Sequence, residues 1–288
     1  MGHIKEWEEL TISDNFLFQK VMQKEELCKR LIEMLLGIKV KRIIYADVEK
    51  VLEASPTQKG IRLDLYVEIE DGTIIDIEIQ TTDGSRTWLP KRSRYYQAII
   101  DLNTLAKGKD YTVLRKSFVI FICTFDPFPG NDRKVYTFKN YCREQKSLEF
   151  GDETVKIFLN TKGTIGEVCD DLDKLLAYID GKSAEGEFTQ EVAAEAERLK
   201  KHEDTRLEYM SIMLALKDQR REGREEGYNE GLLDGEKNGE KKRIDGLVSN
   251  VSSLIDKKGW SLNETLDNMG VAAEDRDLVI ARMAPSVC

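Results

Sequence analysis

Acidic residues recur at a spacing of two in a pair of strand-like runs between residues 61 and 81. In the first run Asp64 lies between two leucines, and in the second run Glu78 lies between two isoleucines and is followed by Gln80. Because successive side chains of a strand point to opposite faces, each run predicts one polar face and one apolar face. An acid-rich face of this kind could bind a divalent metal ion.

The Asp71-Gly72 dipeptide between the runs determines whether the two polar faces meet. A two-residue turn there would place Asp64 opposite Ile79 and separate the carboxylates. A three-residue loop with Gly72 in the left-handed conformation would instead place Asp64 opposite Glu78. We favour the second register, which sets the two Cβ atoms about 4.5–5.5 Å apart, close enough for the carboxylates to share one ion.

The chemistry of these ligands favours Mg²⁺ or Mn²⁺, which prefer hard oxygen atoms. Asp64 and Glu78 are the predicted metal ligands, with Gln80 two residues farther along the same face. The alternative is an antiparallel hairpin whose polar face is exposed to water. We assign Asp76 and Glu68 to such a solvated face in either case.

Composition excludes several other chemistries. The chain of 288 residues has two histidines and five scattered cysteines without a CxxC pair, which argues against zinc sites and His-dependent nucleophilic catalysis. The cysteine pattern is typical of a reduced, cytoplasmic protein. No glycine-rich phosphate-binding motif, signal peptide or apolar run of membrane-spanning length is present, so we expect no membrane partner.

Basic and aromatic residues follow the acidic runs. Lys91, Arg92, Arg94 and Tyr95 fall within one predicted helix, and such a segment could bind phosphates and stack on bases, which predicts DNA as a partner. The net charge of −9 argues against a polyanionic partner only if the charges are evenly distributed. The alternative is an ordinary amphipathic helix with a solvated basic face.

Helix and strand patterns alternate around the acidic runs. Apolar residues at helical spacing predict a helix over residues 25–36 that ends at Gly37, and Pro90 marks the first turn of a second helix over 89–106. The apolar run at 116–124 predicts a central strand, and further strands are predicted over residues 41–51, 135–138 and 155–159. This order predicts an α/β sheet flanked by helices.

A set of short segments, in order along nearly the whole chain, resembles the Rpn family of recombination-promoting nucleases and putative transposases. The segments are SDNFLFQKVM at 13–22, RLDLYVE at 62–68, IDIEIQ at 75–80, LPKRSRYYQ at 89–97, FICTFDPF at 121–128, KVYTFKNYC at 134–142 and KIFLNTKG at 156–163. The Asp64…Glu78-x-Gln80 spacing also resembles the PD-(D/E)xK nuclease motif, with Gln80 standing in place of the usual lysine.

The resemblance implies a metal-dependent DNA endonuclease with a restriction-endonuclease-like mixed sheet and a C-terminal helical extension. It implies that Asp64 and Glu78 hold Mg²⁺ or Mn²⁺ and that Gln80 orients the attacking water. Glu33 is a candidate outer metal ligand, because nucleases of this fold often place an acidic helix residue near the metal. The alternative is a catalytically degraded DNA-binding or oligomerising protein of the same fold, since Gln80 lacks the charge of the motif lysine.

The C-terminal part of the chain has a different character. We predict a nuclease core over residues 1–182, a long charged helix over 183–243 and a small helical appendage over 244–288. Glycine recurs at every fourth position from Gly223 to Gly239, which in a helix costs roughly 4–5 kcal/mol relative to alanine. Such a row either permits a tight helix–helix contact, predicting a homo-oligomer, or belongs to a flexible charged linker.

Overall fold

The computed structural model describes residues 5–52, 60–85 and 87–284. The chain divides between residues 211 and 212 into two compact units. The helices are α1 Asn15–Met22, α2 Glu25–Leu36, α3 Leu89–Thr104, α4 Asp170–Ile179, α5 Glu187–Lys200, α6 Glu203–Lys258, α7 Leu262–Asn268 and α8 Ala273–Met283. The strands are β1 Ile43–Leu52, β2 Ile61–Ile69, β3 Ile74–Gln80, β4 Ser117–Cys123, β5 Val135–Phe138 and β6 Thr154–Asn160.

A mixed sheet organises the first unit. Its described strands follow the order β1-β2-β3-β4-β6-β5. The strand β2 pairs antiparallel with both β1 and β3. The strands β3, β4 and β6 run parallel, and β5 pairs antiparallel with β6. The predicted restriction-endonuclease-like sheet, flanked by helices and followed by a helical extension, is confirmed.

The centre of the sheet is closed to water on both faces. Every residue of β4 is buried, and because its side chains alternate between faces, packed elements must cover both. The helix α3 connects β3 to β4 and packs against β1 and β4, whereas α1 packs against β2 and β3. Beneath α3, the rings of Phe121 and Phe158 stack with their centroids 5.5 Å apart. The predicted central strand at 116–124 is therefore confirmed as β4.

Two predicted helices are present, the first with the predicted bounds and the second with a small change at its end. The helix over 25–36 is α2, and Gly37 ends it with a φ of 65°. The helix predicted over 89–106 is α3, which ends at Thr104. The helices α1 and α4 are also present, although the sequence periodicity did not predict either of them. The single charged helix predicted over residues 183–243 is two helices, α5 and α6, separated by a break at Lys201 and His202.

The second unit contains the C-terminal part of α6 together with α7 and α8. Its buried apolar core is formed by Ile244, Val251, Leu266 and Val279. A capping box begins α7: the Ser261 hydroxyl accepts a hydrogen bond from the backbone N–H of Glu264, and the Glu264 carboxylate accepts one from the backbone N–H of Ser261. The division at residues 211 and 212 is coarser than the predicted three-part organisation, which stays a prediction.

The glycine row lies within α6. The helix runs without a break through Gly223, Gly227, Gly231, Gly235 and Gly239. At each of these positions an added Cβ would meet no atom of the described residues within 4 Å. The segment is therefore a helix in this structure, and the described part of the chain leaves one side of the row open.

Candidate active site

The β2–β3 hairpin has the register that we favoured. The Ile69 amide donates to the carbonyl of Thr73, the Gly72 amide donates to the carbonyl of Ile69, and Gly72 has a φ of 85°. The paired residues run from Glu68 and Ile74 to Leu65 and Ile77. Continuing this register by one residue places Asp64 opposite Glu78, as predicted for the three-residue loop.

Asp64 is a buried carboxylate held from two sides. It is 7% exposed. One oxygen accepts hydrogen bonds from the Asn15 side-chain amide at 2.8 Å and from the Ile79 backbone N–H at 3.3 Å, and the other accepts one from the Gln19 amide at 3.2 Å. Burial raises the pKa of Asp64 to about 6, although the nearby guanidinium of Arg92 opposes this shift.

Glu78 lies deeper, with only 1% of the residue exposed. Its Oε1 atom accepts a hydrogen bond from the Asp64 backbone N–H at 2.8 Å, and its Oε2 atom accepts one from Arg92 at 2.5 Å. Burial and then the charge of Asp64 raise the pKa of Glu78 to about 8, against the attraction of Arg92. The two carboxylates are therefore adjacent, connected through the backbone, and costly to ionise together in the absence of a cation.

Asp76 corrects the sequence analysis, which assigned it to a solvated face. The residue is fully buried, and neither carboxylate oxygen accepts a hydrogen bond from a described donor. Burial, followed by the charges of Glu78 and Asp64, raises its pKa well above the ordinary value. Glu78 lies two residues farther along β3 and therefore on the same face. The third acidic group of the site is therefore Asp76, whereas Glu68 is half-buried and pairs with Arg115.

Gln80 lies at the end of β3, where the side chain is partly exposed. Its Oε1 atom accepts a hydrogen bond from Arg92 at 2.9 Å, and its amide donates to the Thr82 hydroxyl at 3.3 Å. One guanidinium therefore bridges Gln80 and Glu78. Arg92 is directed into the acidic site in this structure and is not part of an outward basic face.

The remaining predicted DNA-binding residues lie on the outer side of α3. Lys91, Arg94 and Tyr95 are exposed, as is Trp88 at the start of the helix. They provide two cations and two aromatic rings on one exposed helical surface. We call Lys91, Arg94 and Tyr95 the α3 basic surface.

Glu33 does not contact the acidic site. Its carboxylate accepts hydrogen bonds from the Val40 backbone N–H at 2.9 Å and from Lys39 at 3.2 Å. The Val40 bond contributes most to lowering the pKa of Glu33. The residue therefore stabilises the chain that follows α2, and the helical side chains that reach Asp64 come from α1 instead.

Sequence reasoning missed Asn15 and Gln19 as functional candidates. They lie four residues apart, so they share one face of α1, and Gln19 is buried in a helix that is otherwise largely apolar. A buried amide among Leu17, Phe18 and Val21 is the sequence feature that could have indicated a polar partner. Its partner Asp64 is 45 residues away, so α1 alone could not identify it.

The donor set suits a hard divalent cation. Within the described residues, no three His, Cys, Asp or Glu side chains are grouped so that they could together hold a metal ion. Mg²⁺, however, typically takes one or two protein carboxylates and completes its shell with water and substrate phosphate. The adjacent Asp64 and Glu78 meet that requirement, and the Asp76 oxygens, which accept no hydrogen bond, lie beside them. The residues present therefore fit such an ion.

In the part of the chain that the structure describes, no helix has the length and apolar character needed to cross a membrane. No curated protein and no solved structure matches the chain. Residues 14–225 match the protein family described as PD-(D/E)XK nuclease family transposase. The match covers well over half of the chain, begins one residue before α1, and includes the acidic hairpin and α3. This chain therefore belongs to the PD-(D/E)XK nuclease family transposases.

Proposed function

We propose that this chain is a metal-dependent DNA endonuclease that hydrolyses phosphodiester bonds. The family indicates a nuclease-related or transposase-related role. The observation that supports cleavage most directly is the pair of buried carboxylates, Asp64 and Glu78, with Gln80 on the same face. The biological setting that we propose is recombination, or the movement of or defence against mobile elements.

The proposed cofactor is Mg²⁺ or Mn²⁺, held by the carboxylate oxygens of Asp64 and Glu78. When bound, such an ion lowers the pKa of a coordinated water and neutralises charge on the phosphate. Asn15 and Gln19 hold Asp64 in place, which limits the rearrangement needed for binding. Nucleases of this family typically use divalent metals, and the choice between the two ions belongs to the proposal.

In this proposal, the partly exposed amide of Gln80 orients the attacking water. Its oxygen is engaged by Arg92 and its NH₂ group by Thr82, so the amide plane is fixed from both ends. In the hydrolysis, the water oxygen forms a new bond to phosphorus, and the bond from phosphorus to the leaving sugar oxygen breaks. One water proton ends on the leaving hydroxyl, and the remaining hydroxyl ends on the product phosphate.

We assign DNA binding to the α3 basic surface. Lys91 and Arg94 would contact backbone phosphates, and Tyr95 could stack on a base or pack against a sugar. The surface belongs to the helix that presents Arg92 to Glu78. A DNA backbone crossing α3 would therefore pass close to the acidic site.

A second candidate is a DNA-binding or oligomerising protein of the same fold that no longer cleaves. The neutral Gln80 favours this candidate, because it cannot supply the charge of the motif lysine. Cleavage remains the better-supported function, since a protein without catalysis has no evident need for three adjacent buried carboxyl groups.

Plasmid cleavage with EDTA, Mg²⁺ or Mn²⁺ tests the proposal. We expect cutting only with a divalent ion, and its loss in both Asp64→Ala and Glu78→Ala. Glu68→Ala is the matched control, because Glu68 is an acid on β2 like Asp64 but pairs with Arg115. Cutting in EDTA, or full activity in both alanine variants, would contradict the proposal. A wild-type protein that binds DNA without cutting it would support the second candidate.

We also propose self-association through α6, and a cytoplasmic location in accord with the cysteine pattern. Support for self-association comes from the continuous helix through the glycine row and from the open space beside each glycine among the described residues. Close approach of a second α6 would bury the backbone that these glycines expose.

A further inference from the structure

The acidic site contains a cation that the nuclease motif itself does not supply. Arg92 comes from α3, twelve residues after Gln80, yet it donates hydrogen bonds to both Gln80 and Glu78. The ion pair with Glu78 joins a carboxylate that is 1% exposed to a guanidinium side chain that is 25% exposed. Arg92 therefore extends from the buried carboxylates to the solvent-accessible side of the site.

Three aromatic rings surround the guanidinium group. Its carbon lies 4.7 Å from the ring centroid of Tyr96, 5.4 Å from that of Phe121 and 5.7 Å from that of Trp88. Contacts of this kind attract a cation and restrict its orientation. The hydrogen bonds to Glu78 and Gln80 restrict it further. A charge held in this way needs little reorganisation when negative charge develops nearby.

We propose that Arg92 is a catalytic residue that contacts the scissile phosphate of DNA and supplies the positive charge that Gln80 lacks. This inference rests on the proposed nuclease function. A guanidinium has five N–H donors, more than its bonds to Glu78 and Gln80 consume. Its planar donor edge also matches two phosphate oxygens at once.

The role of Arg92 is electrostatic. Arginine stays protonated throughout the pH range of enzymes, so the residue cannot exchange a proton with water or with the leaving group. The competing explanation is that Arg92 serves only as a counter-ion for the buried acids. A bound divalent ion would then take over its task, and removing Arg92 in saturating metal would leave the cleavage rate unchanged.

Single-turnover cleavage at saturating DNA and metal separates these explanations. We expect Arg92→Ala to reduce the rate about 10²- to 10³-fold, the usual effect of removing one preorganised donor. The matched control is Arg30→Ala. Arg30 also pairs with a glutamate, Glu191, and also lies over an aromatic ring, that of Phe188, but its contacts are made away from the acidic site. Its loss should leave the rate within about twofold.

The second part of the experiment restores the positive charge at position 80 instead of position 92. Gln80→Lys in the Arg92→Ala background places an ammonium group where the motif lysine would be. We expect it to recover at least about tenfold of the lost rate, as the catalytic role requires and a purely structural role does not. Thermal melting and the DNA dissociation constant in EDTA accompany each variant. We expect the dissociation constant of Arg92→Ala to change much less than its cleavage rate.

If Arg92→Ala does not fold, Arg92→Gln replaces it, because glutamine can keep hydrogen bonds to Glu78 and Gln80 without the charge. A folded variant that cuts at the wild-type rate would overturn the role of Arg92 and leave the nuclease function intact. So would a slow variant that Gln80→Lys does not rescue. A wild-type protein that never cuts would instead contradict the nuclease function, and the catalytic role of Arg92 with it.

Discussion

The acidic hairpin and the glycine row of α6 are both unfavourable by local rules, but only one of them is compensated within the chain. On the hairpin, Asp64 and Glu78 are buried, and each of their four carboxylate oxygens has a donor from α1, α3 or the opposite strand. In α6, the glycines between Gly223 and Gly239 weaken a helix and contact nothing described on their open side. The comparison teaches that an unfavourable local feature can indicate function in two ways. Its cost is offset by contacts within the chain, as at Asp64 and Glu78, or it has no such contacts, which points to a partner outside the chain.

The largest expected effect is the pH dependence of the free energy of unfolding, which the buried carboxyls of the hairpin should cause. Burial raises the carboxyl pKa values of Glu78 to about 8 and of Asp64 to about 6, so between about pH 4 and pH 8 these two groups bind more protons in the folded protein than in the unfolded chain. In EDTA, the free energy of unfolding should therefore fall as pH rises through this window, by several kcal/mol at about 1.4 kcal/mol per unit of pKa shift.

Thermal melts in EDTA at pH 5 and pH 8 measure this slope. Glu78→Gln should flatten it. Mg²⁺ should raise the melting temperature most at pH 8, because the ion binds the folded protein through carboxylates that must first lose their protons. A wild-type melting temperature that rises from pH 5 to pH 8 would show that the carboxyls are not held neutral. The acidic hairpin would then be less unusual, and would differ less from the glycine row of α6, than we propose.

The glycine row has the next largest expected effect. If no partner covers the row, replacing Gly227, Gly231 and Gly235 with alanine should stabilise the helix by about 2–3 kcal/mol in total. If two copies pack there, replacing the same residues with leucine should separate their backbones and lower the mass measured by light scattering. A wild-type protein that is monomeric at micromolar concentration would contradict self-association. The cost of the glycine row in α6 would then not be offset by contacts with a second copy.

The α1 side chains should have a smaller effect on catalysis. Asn15→Ala and Gln19→Ala each remove one donor to Asp64, and the loss of such a supporting bond typically costs about 10- to 100-fold in metal affinity or activity. We expect a higher Mg²⁺ requirement with the fold retained. Asn103→Ala is the control, because it removes an amide on α3 that donates a hydrogen bond to the backbone carbonyl of Ile99 in the same helix. Equal Mg²⁺ titrations would show that Asp64 does not need α1.

The smallest effect is expected from the α3 basic surface. Each phosphate contact contributes about 0.9 to the slope of log K against log salt. Lys91→Ala with Arg94→Ala should therefore weaken DNA binding and flatten its salt dependence by up to about two contacts, while single-turnover cleavage at saturating DNA is preserved. An unchanged slope would place the DNA-binding surface elsewhere and leave α3 with a solvated basic face.

Local pattern was enough to predict the hairpin and its register. The Asp-Gly turn and the alternation around Asp64 and Glu78 are contained within about twenty residues. The burial of Asp76 was not predictable in the same way, because it depends on β3 becoming an inner strand. That position requires β4 to pair with β3 in parallel, and β4 begins 37 residues after Gln80.

Contacts between distant segments explain the other differences. Glu33 was a reasonable metal-ligand candidate on α2, but it lies beside the Val40 amide in a local turn. The partners of Asp64 come from α1, where Asn15 and Gln19 carry no sequence pattern that points to a particular carboxylate. The continuity of α6 could not be predicted from the sequence either, because glycine at every fourth position of the row disfavours a helix.

Two backbone amides make the hairpin a built-in reporter of its own carboxylates. The N–H of Asp64 donates to Glu78 Oε1, and the N–H of Ile79 donates to Asp64 Oδ2. Each amide thus depends on an acceptor that an incoming cation would compete for. Amide chemical shifts and hydrogen-exchange rates at these two positions should therefore follow occupancy of the site directly, in inactive variants such as Arg92→Ala as well as in the wild type, without any nucleic acid in the sample.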